Sequence, residues 1–283
     1  MRQRDWWIPY LLIAPSVVFL LIFFVWPLLE AIGLAFVGPS GFGFEHFRRM
    51  AGDLYFKDAF KNTLLLVLVI VPLQLILALA LSMLIGGLNR GRDLYLYIWT
   101  IPLGISDLAA GIAWLAIFTE RGYFNSLLGA LGLVENPPIL LGYQTPLTLF
   151  LAVVMAELWR ATAVVMVILI SGLQLIPKMY AEAAEVFGAT PWQRFWRVTL
   201  PLLRPSLQTA LILRTIAAFE VFAVVNALGG RNLPVLAGES YNWYATNQNP
   251  NVAAAYAVLV LVISLVATLL YLRLIPVRQE AQV

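Results

Sequence analysis

Six stretches of about 20 mostly apolar residues run through this chain, at 8–29, 63–85, 95–118, 146–169, 206–228 and 252–274. Each is long enough to cross a bilayer as an α-helix, the one open-ended structure that pairs its own backbone N–H and C=O groups inside lipid. The rest of the composition agrees. Of 283 residues, 61% are hydrophobic and only 12% charged, against about 25% charged in a soluble domain. Too little polar surface exists to cover a water-soluble globule of this size. The expectation is an all-α integral membrane protein of about six transmembrane helices, forming one transmembrane domain over 1–283 without internal repeats. The first stretch reads as an uncleaved anchor, because its apolar run exceeds a signal-peptide core of about 7–15 residues and five more spans follow.

Basic residues orient such a chain, since Lys and Arg accumulate on the cytoplasmic side. Arg2, Arg4, Arg90, Arg92, Lys178, Arg194, Arg197, Arg204, Arg273 and Arg278 lie on one side of the predicted membrane. Arg48, Arg49, Lys57, Lys61, Arg121 and Arg231 lie on the other. Ten against six places both termini in the cytoplasm and makes the protein a multi-pass component of the cytoplasmic membrane. The outer connections 31–62 and 119–145 carry turn formers, Gly38-Pro39-Ser40-Gly41 and Asn136-Pro137-Pro138. The outer loop 229–251 is rich in Asn, Gly, Tyr and Trp.

Several chemistries are excluded or thin. With no cysteine there is no disulfide, thiolate nucleophile or Cys-ligated zinc site, and His46 is the single histidine. A net charge of +3 is distributed around the spans in the pattern of membrane topology, so no nucleic-acid partner is expected. No G-x-x-x-x-G-K-[S/T] phosphate loop is present, so the chain cannot hydrolyse ATP by that route.

The connection between the fourth and fifth spans is too patterned for a plain loop. Over 178–187 a helix is expected, with Glu182 and Glu185 on one face and Gly188 supplying the positive φ that ends it. Thr190 then reads as an N-cap and Pro191 as the first turn of a second helix, which carries Trp192, Phe195 and Trp196 with Arg194 and Arg197 and stops near Pro201. From physics alone, such a hairpin either lies on lipid headgroups through its Trp and Arg side chains or docks a soluble partner.

The motif within it narrows the choice. Glu182-Ala183-Ala184, three residues, Gly188, nine residues, Val198, one residue, Leu200-Pro201 closely resembles the EAA loop of permeases of binding-protein-dependent ABC importers, with Val198 in place of Ile. Ala14-Pro15-Ser16, Trp26-Pro27-Leu28, Asn62-Thr63-Leu64, Gly172-Leu173-Gln174, Ile176-Pro177 and Leu200-Pro201-Leu202-Leu203 are similar to the carbohydrate-type permeases of the maltose and glycerol-3-phosphate systems. Within that group the chain most resembles the first permease of a trehalose- or maltose-type importer. It departs from many relatives at Ala181 and Phe187, where they carry Tyr and Asp.

The resemblance implies a type I importer permease fold and a coupling loop at about 176–201. Glu182, Ala183, Ala184 and Gly188 would engage the ATPase, with Glu182 facing a basic residue of it. It further implies a second permease, two copies of a cytoplasmic ATPase and an extracytoplasmic solute-binding protein. ATP and magnesium would be held by the ATPase and no cofactor or metal by this chain, a non-catalytic permease for a di- or oligosaccharide such as trehalose or maltose. Another polar solute such as glycerol-3-phosphate stays open, and so, as a different class, does an ion-coupled secondary transporter using Glu157, Glu220 or Asp107. Such a carrier has no use for the EAA bracket. A polytopic membrane enzyme would have a meagre catalytic repertoire.

Ionisable side chains within spans face cavities or partners. Glu157 and Arg160 can pair at i, i+3, and Arg214, Glu220 and Asp107 are further cases. They either hold helices in register or line a solute path. The family's substrate-contacting positions fall on Glu157, Arg160, Ala161, Val164, Arg214, Ala218 and Val221. Two arginines among them depart from the maltose permease. Trp99, Trp114, Trp243 and Tyr244 near span ends read as interface anchors, and Pro15, Pro72 and Pro102 as potential kinks.

Overall fold

The computed structural model describes residues 7–38, 41–88, 90–134 and 136–276. Arg2, Arg4 and Arg278 of the orientation argument, and Pro39 and Ser40 of the expected outer turn, lie outside the described residues. Among those described, the protein is helical apart from one pair of two-residue strands, Val37–Gly38 and Gly41–Phe42. Four helices are long and apolar enough to cross a membrane: Ile8–Phe36, Phe56–Gly86, Pro146–Leu175 and Pro250–Leu274. A fifth candidate is a bent pair, Arg92–Gly104 and Asp107–Ala130, with 99° between its arms.

Two expected spans are therefore not simple rods. The third breaks at Ile105–Ser106, where Ile101–Gly104 tightens into a 3₁₀ turn around Pro102 and the chain leaves the helix. Ser106 restarts it as an N-cap, its hydroxyl accepting from the Ala109 N–H at 3.2 Å. The fifth, expected over 206–228, runs as Arg204–Phe219, opens at 220–222 and resumes as Ala223–Leu228.

Proline explains a further difference. The second hairpin helix does not stop at Pro201. It continues through a π-turn, Phe195–Thr199, into Leu200–Leu202 and reaches Arg204 with a single non-helical residue. The first span has the same device, a π-turn at Leu21–Val25 followed by Trp26-Pro27. A proline ring clashes with the carbonyl four residues earlier. Widening the preceding turn by one residue makes room for it and lets the helix pass.

The described residues form two compact units, one of those up to Phe56 with Glu239–Leu259, the other of those in Lys57–Gly238 with those from Val260 onward. In the first unit, Asp53 is the anchor. Its Oδ2 accepts from the Trp243 indole at 2.6 Å and the Tyr256 hydroxyl at 2.9 Å. The Arg49 guanidinium lies 5.3 Å from the Trp243 ring centre, a cation–π contact. Asn251 donates to the carbonyls of Leu34 and Val37, and His46 Nε2 lies 3.0 Å from the same Val37 oxygen. Trp243, expected as an interface anchor, therefore has an intramolecular role.

In the second unit, the fourth span is the most buried and packs against the second and fifth in two apolar clusters. One gathers Leu66, Ile70, Leu149, Val153 and Val224. The other gathers Ala78, Val165, Met166, Leu169 and Leu207. The fourth and fifth spans approach closely at Gly172, where a Cβ would stand 2.6 Å from the Ser206 Cβ and 2.9 Å from Leu203 Cδ1. Gly172→Ala must push these helices apart. The expected loss of stability is about 1–3 kcal/mol, read as a lower unfolding temperature in detergent and recovered in part by adding Ser206→Gly.

Candidate functional site

Between the two apolar clusters of the second unit lies a set of charges. Gln74 falls one helical turn from Ile70 and one from Ala78; Arg214 falls one turn from Ala210 and one from Ala218. Glu157 holds the corresponding place on the fourth span, between Val153 and Ala161. All three are almost fully buried, at 0%, 5% and 1% exposure respectively.

Their contacts close a loop across three helices. Arg214 Nη2 donates to Glu157 Oε2 at 2.6 Å, and Arg214 Nε donates to Gln74 Oε1. Gln74 Nε2 in turn donates to the backbone carbonyl of Glu157 at 2.7 Å. The i, i+3 pair expected between Glu157 and Arg160 is present but long, at 3.5 Å. Arg160 has a closer partner in Asp107, at 2.8 Å. Asp107 sits at the start of the helix after the bend in the third span, and at 53% exposure it is the open end of the network.

Three of the seven expected pathway residues, Glu157, Arg160 and Arg214, are thus brought together. Ala161 and Ala218, one turn from Glu157 and Arg214, and Val221 are buried, whereas Val164, one turn beyond Arg160 on the fourth span, is exposed. Glu220 is exposed where the fifth span opens and makes none of these contacts. Gln74 was not singled out from the sequence. Its signal was present, as the lone amide in the apolar run 63–85. Two atoms of the network, Glu157 Oε1 and Arg160 Nε, are buried and have no hydrogen-bond partner among the described residues.

The second site is the hairpin. Its first helix, Lys178–Val186, ends in a Schellman closure: the Ala189 N–H bonds the Ala184 carbonyl and the Gly188 N–H bonds that of Glu185, with Gly188 at φ +74°. Thr190 and Gln193 form a reciprocal capping box at the start of the second helix. An Arg194–Glu185 ion pair ties the arms together. What this rigid tip presents is apolar and acidic. Val186 is 86% and Phe187 90% exposed, and Glu182, Ala183 and Gly188 are exposed beside them, with Ala184 half-buried.

Residues 78–278, which hold the hairpin and most of the charge network, match the family of binding-protein-dependent transport system inner membrane components. The chain belongs to this family. It is 31% identical over 233 residues to the sn-glycerol-3-phosphate transport system permease protein UgpA of Salmonella choleraesuis, covering 79% of this chain and 77% of that one. Its identity to the protein of the same name from Agrobacterium fabrum is 29%, over 96% of this chain and 95% of that one. The fold superimposes on a chain of a bacterial ABC transporter involved in import of the acidic polysaccharide alginate, with a TM-score of 0.80, 25% identity and 96% coverage of both chains. A second alginate transporter structure, in complex with a periplasmic protein carrying an alginate pentasaccharide, matches at 0.79, with 25% identity over 96% of this chain and 94% of that one. The protein is a membrane permease subunit of an ABC importer, as the EAA bracket led one to expect.

The network makes a stability prediction. Arg214→Met leaves the Glu157 carboxylate buried without its main partner and is expected to cost about 3–5 kcal/mol. Glu157→Leu with Arg214→Met removes both charges and is expected to cost less than Arg214→Met alone. Denaturant unfolding of the singles and the double in detergent measures the coupling.

Proposed function

We propose that this permease passes a carbohydrate across the membrane and that the Arg160–Asp107 end of the buried network is where the solute meets it. The supporting observation is how the network divides. Arg214 is consumed by Glu157 and Gln74, so it holds three spans together and positions the Glu157 carboxylate. Arg160 is less buried and Asp107 is exposed, and both have hydrogen-bonding capacity left for a solute. Two arginines balanced by two carboxylates leave no surplus positive charge. That balance favours sugar hydroxyls, which use both donors and acceptors, over a solute recognised by its negative charge.

The relatives motivate a second reading, because glycerol-3-phosphate and alginate, named for them, are both acidic. In that case Arg160 would exchange Asp107 for the solute's anion. Ala161, Ala218 and Val221 shape the wall, and Val164 borders it where the fourth span is exposed.

The energy comes from elsewhere. In this reading Glu182, Ala183, Ala184 and Gly188 dock on an ATPase that binds ATP and magnesium, two copies serve this chain and a second permease, and a solute-binding protein delivers from outside. Both termini are cytoplasmic, on the side of the hairpin, the chain forms a single transmembrane permease domain, and it binds no cofactor and catalyses no reaction. The exposed Glu182 on a capped, rigid tip supports the docking role.

Two measurements test these assignments. The first is ATP-driven uptake of labelled trehalose, maltose and glycerol-3-phosphate by the co-purified importer in proteoliposomes. Transport of a neutral sugar supports the carbohydrate reading, and transport of the phosphate alone supports the second. Arg160→Gln and Asp107→Asn are each expected to lower uptake of the true substrate about tenfold, the loss of one charge-assisted hydrogen bond. Unchanged uptake would remove both from the pathway. The second measurement is uptake against hydrolysis in Glu182→Lys. ATP hydrolysis is expected to persist while transport falls about tenfold, and normal coupling would refute the docking contact.

A further inference from the structure

One face of the second span borders the hairpin. Ile76, Leu79, Ala80 and Met83 recur at i, i+3, i+4 and i+7, a single helical stripe in the last turns before Gly86. Opposite them stand Trp192, Phe195 and Trp196 of the second hairpin helix and its π-turn. The rings of Trp192 and Trp196 lie 5.5 Å apart, and those of Phe195 and Trp196 5.2 Å apart. Together they enclose a groove of about 540 Å³, inside the range of about 300–1,000 Å³ typical of small-ligand sites. Its walls are apolar, and Ile76, Met83, Trp192 and Trp196 remain exposed along it.

We propose that this groove is a binding site for an anionic phospholipid. The groove is built on a membrane-spanning helix close to its basic end, so the medium beside it is the acyl layer directly under the headgroups. The stripe runs along that helix for about 10 Å, a length suited to a chain and not to a compact solute. Tryptophans line its mouth, as they do at lipid–water boundaries. The charge selects the headgroup. Arg194 is engaged by Glu185, whereas Arg197, exposed and directly after Trp196, makes no ion pair among the described residues. An acyl chain in the groove brings its phosphate to that level, and an anionic headgroup gives Arg197 its counter-charge. Arg197 follows Trp196 in the same π-turn, next to the groove in sequence; the proposal is independent of which solute is transported.

The test reads lipid contact directly. The full chain, purified and reconstituted in phosphatidylcholine vesicles, is titrated with phosphatidylglycerol or phosphatidylcholine carrying brominated acyl chains, which quench tryptophan at contact. The quenching attributable to the groove is the difference between the protein and its Trp192→Phe/Trp196→Phe variant. Brominated phosphatidylglycerol is expected to reach half-effect at about fivefold lower mole fraction than brominated phosphatidylcholine, the preference one basic side chain supplies at a membrane surface. Arg197→Gln should erase that preference while leaving quenching by both lipids. Ala80→Phe should fill the groove and diminish both. Equal quenching by the two lipids would reduce the groove to ordinary lipid annulus and overturn the proposal. So would quenching that disappears for both in the assembled importer, because a protein partner would then cover the groove.

Discussion

A buried arginine is tolerable inside a membrane protein only if its charge is met at short range. In this permease the requirement organises three spans. Arg214 reaches Glu157 on the fourth and Gln74 on the second, and Gln74 returns to the fourth-span backbone. Leucine and valine pack the rest of these helices, but they fit in many registers and lipid competes for them on equal terms. An ion pair fits in one. Rotating or sliding the fifth span would strand a guanidinium in the apolar layer. The two hydrophobic clusters on either side are therefore arranged around a polar pin that fixes which residues meet.

The same pin divides labour among the charged residues. Charge satisfied deep in the bundle is committed to architecture. Charge at the margin, in Arg160 and the half-exposed Asp107, lies within reach of solvent. Asp107 stands in the first turn of the helix that restarts after the third span's break, and pairs with Arg160 from there. The break arises from a local sequence, Pro102-Leu103-Gly104-Ile105-Ser106, that tightens, extends and re-caps within five residues.

Much of this was legible in the residues. The apolar runs gave the spans, Gly188, Thr190 and Pro191 gave the hairpin with its caps, and the EAA spacing gave the family. What remained hidden depended on distance in sequence or on proline's two possible outcomes. Composition does not reveal that Glu157 prefers an arginine 57 positions away to the one three positions away. Gln74 looked like an incidental polar residue until its partners were known. Proline reads as a stop signal, yet at Pro27 and Pro201 a widened turn carries the helix through it. Hydropathy averaged over 206–228 likewise conceals the break at 220–222, after which Val224, Val225 and Leu228 join an apolar cluster.

That widened turn has a mechanical consequence. The hairpin tip is stiff, held by a Schellman closure, a reciprocal cap and an ion pair. On one side it joins the fourth span through the extended residues Ile176 and Pro177. On the other it is nearly continuous with the fifth helix. The assembly has the form of a crank: a capped arm, a turn out of helix at one end and a nearly continuous shaft at the other. A load on the tip at Phe187 would meet a nearly continuous helical path only on the side of the fifth helix. That helix carries Arg214, so the hairpin tip and the buried ion pair lie along one nearly unbroken rod.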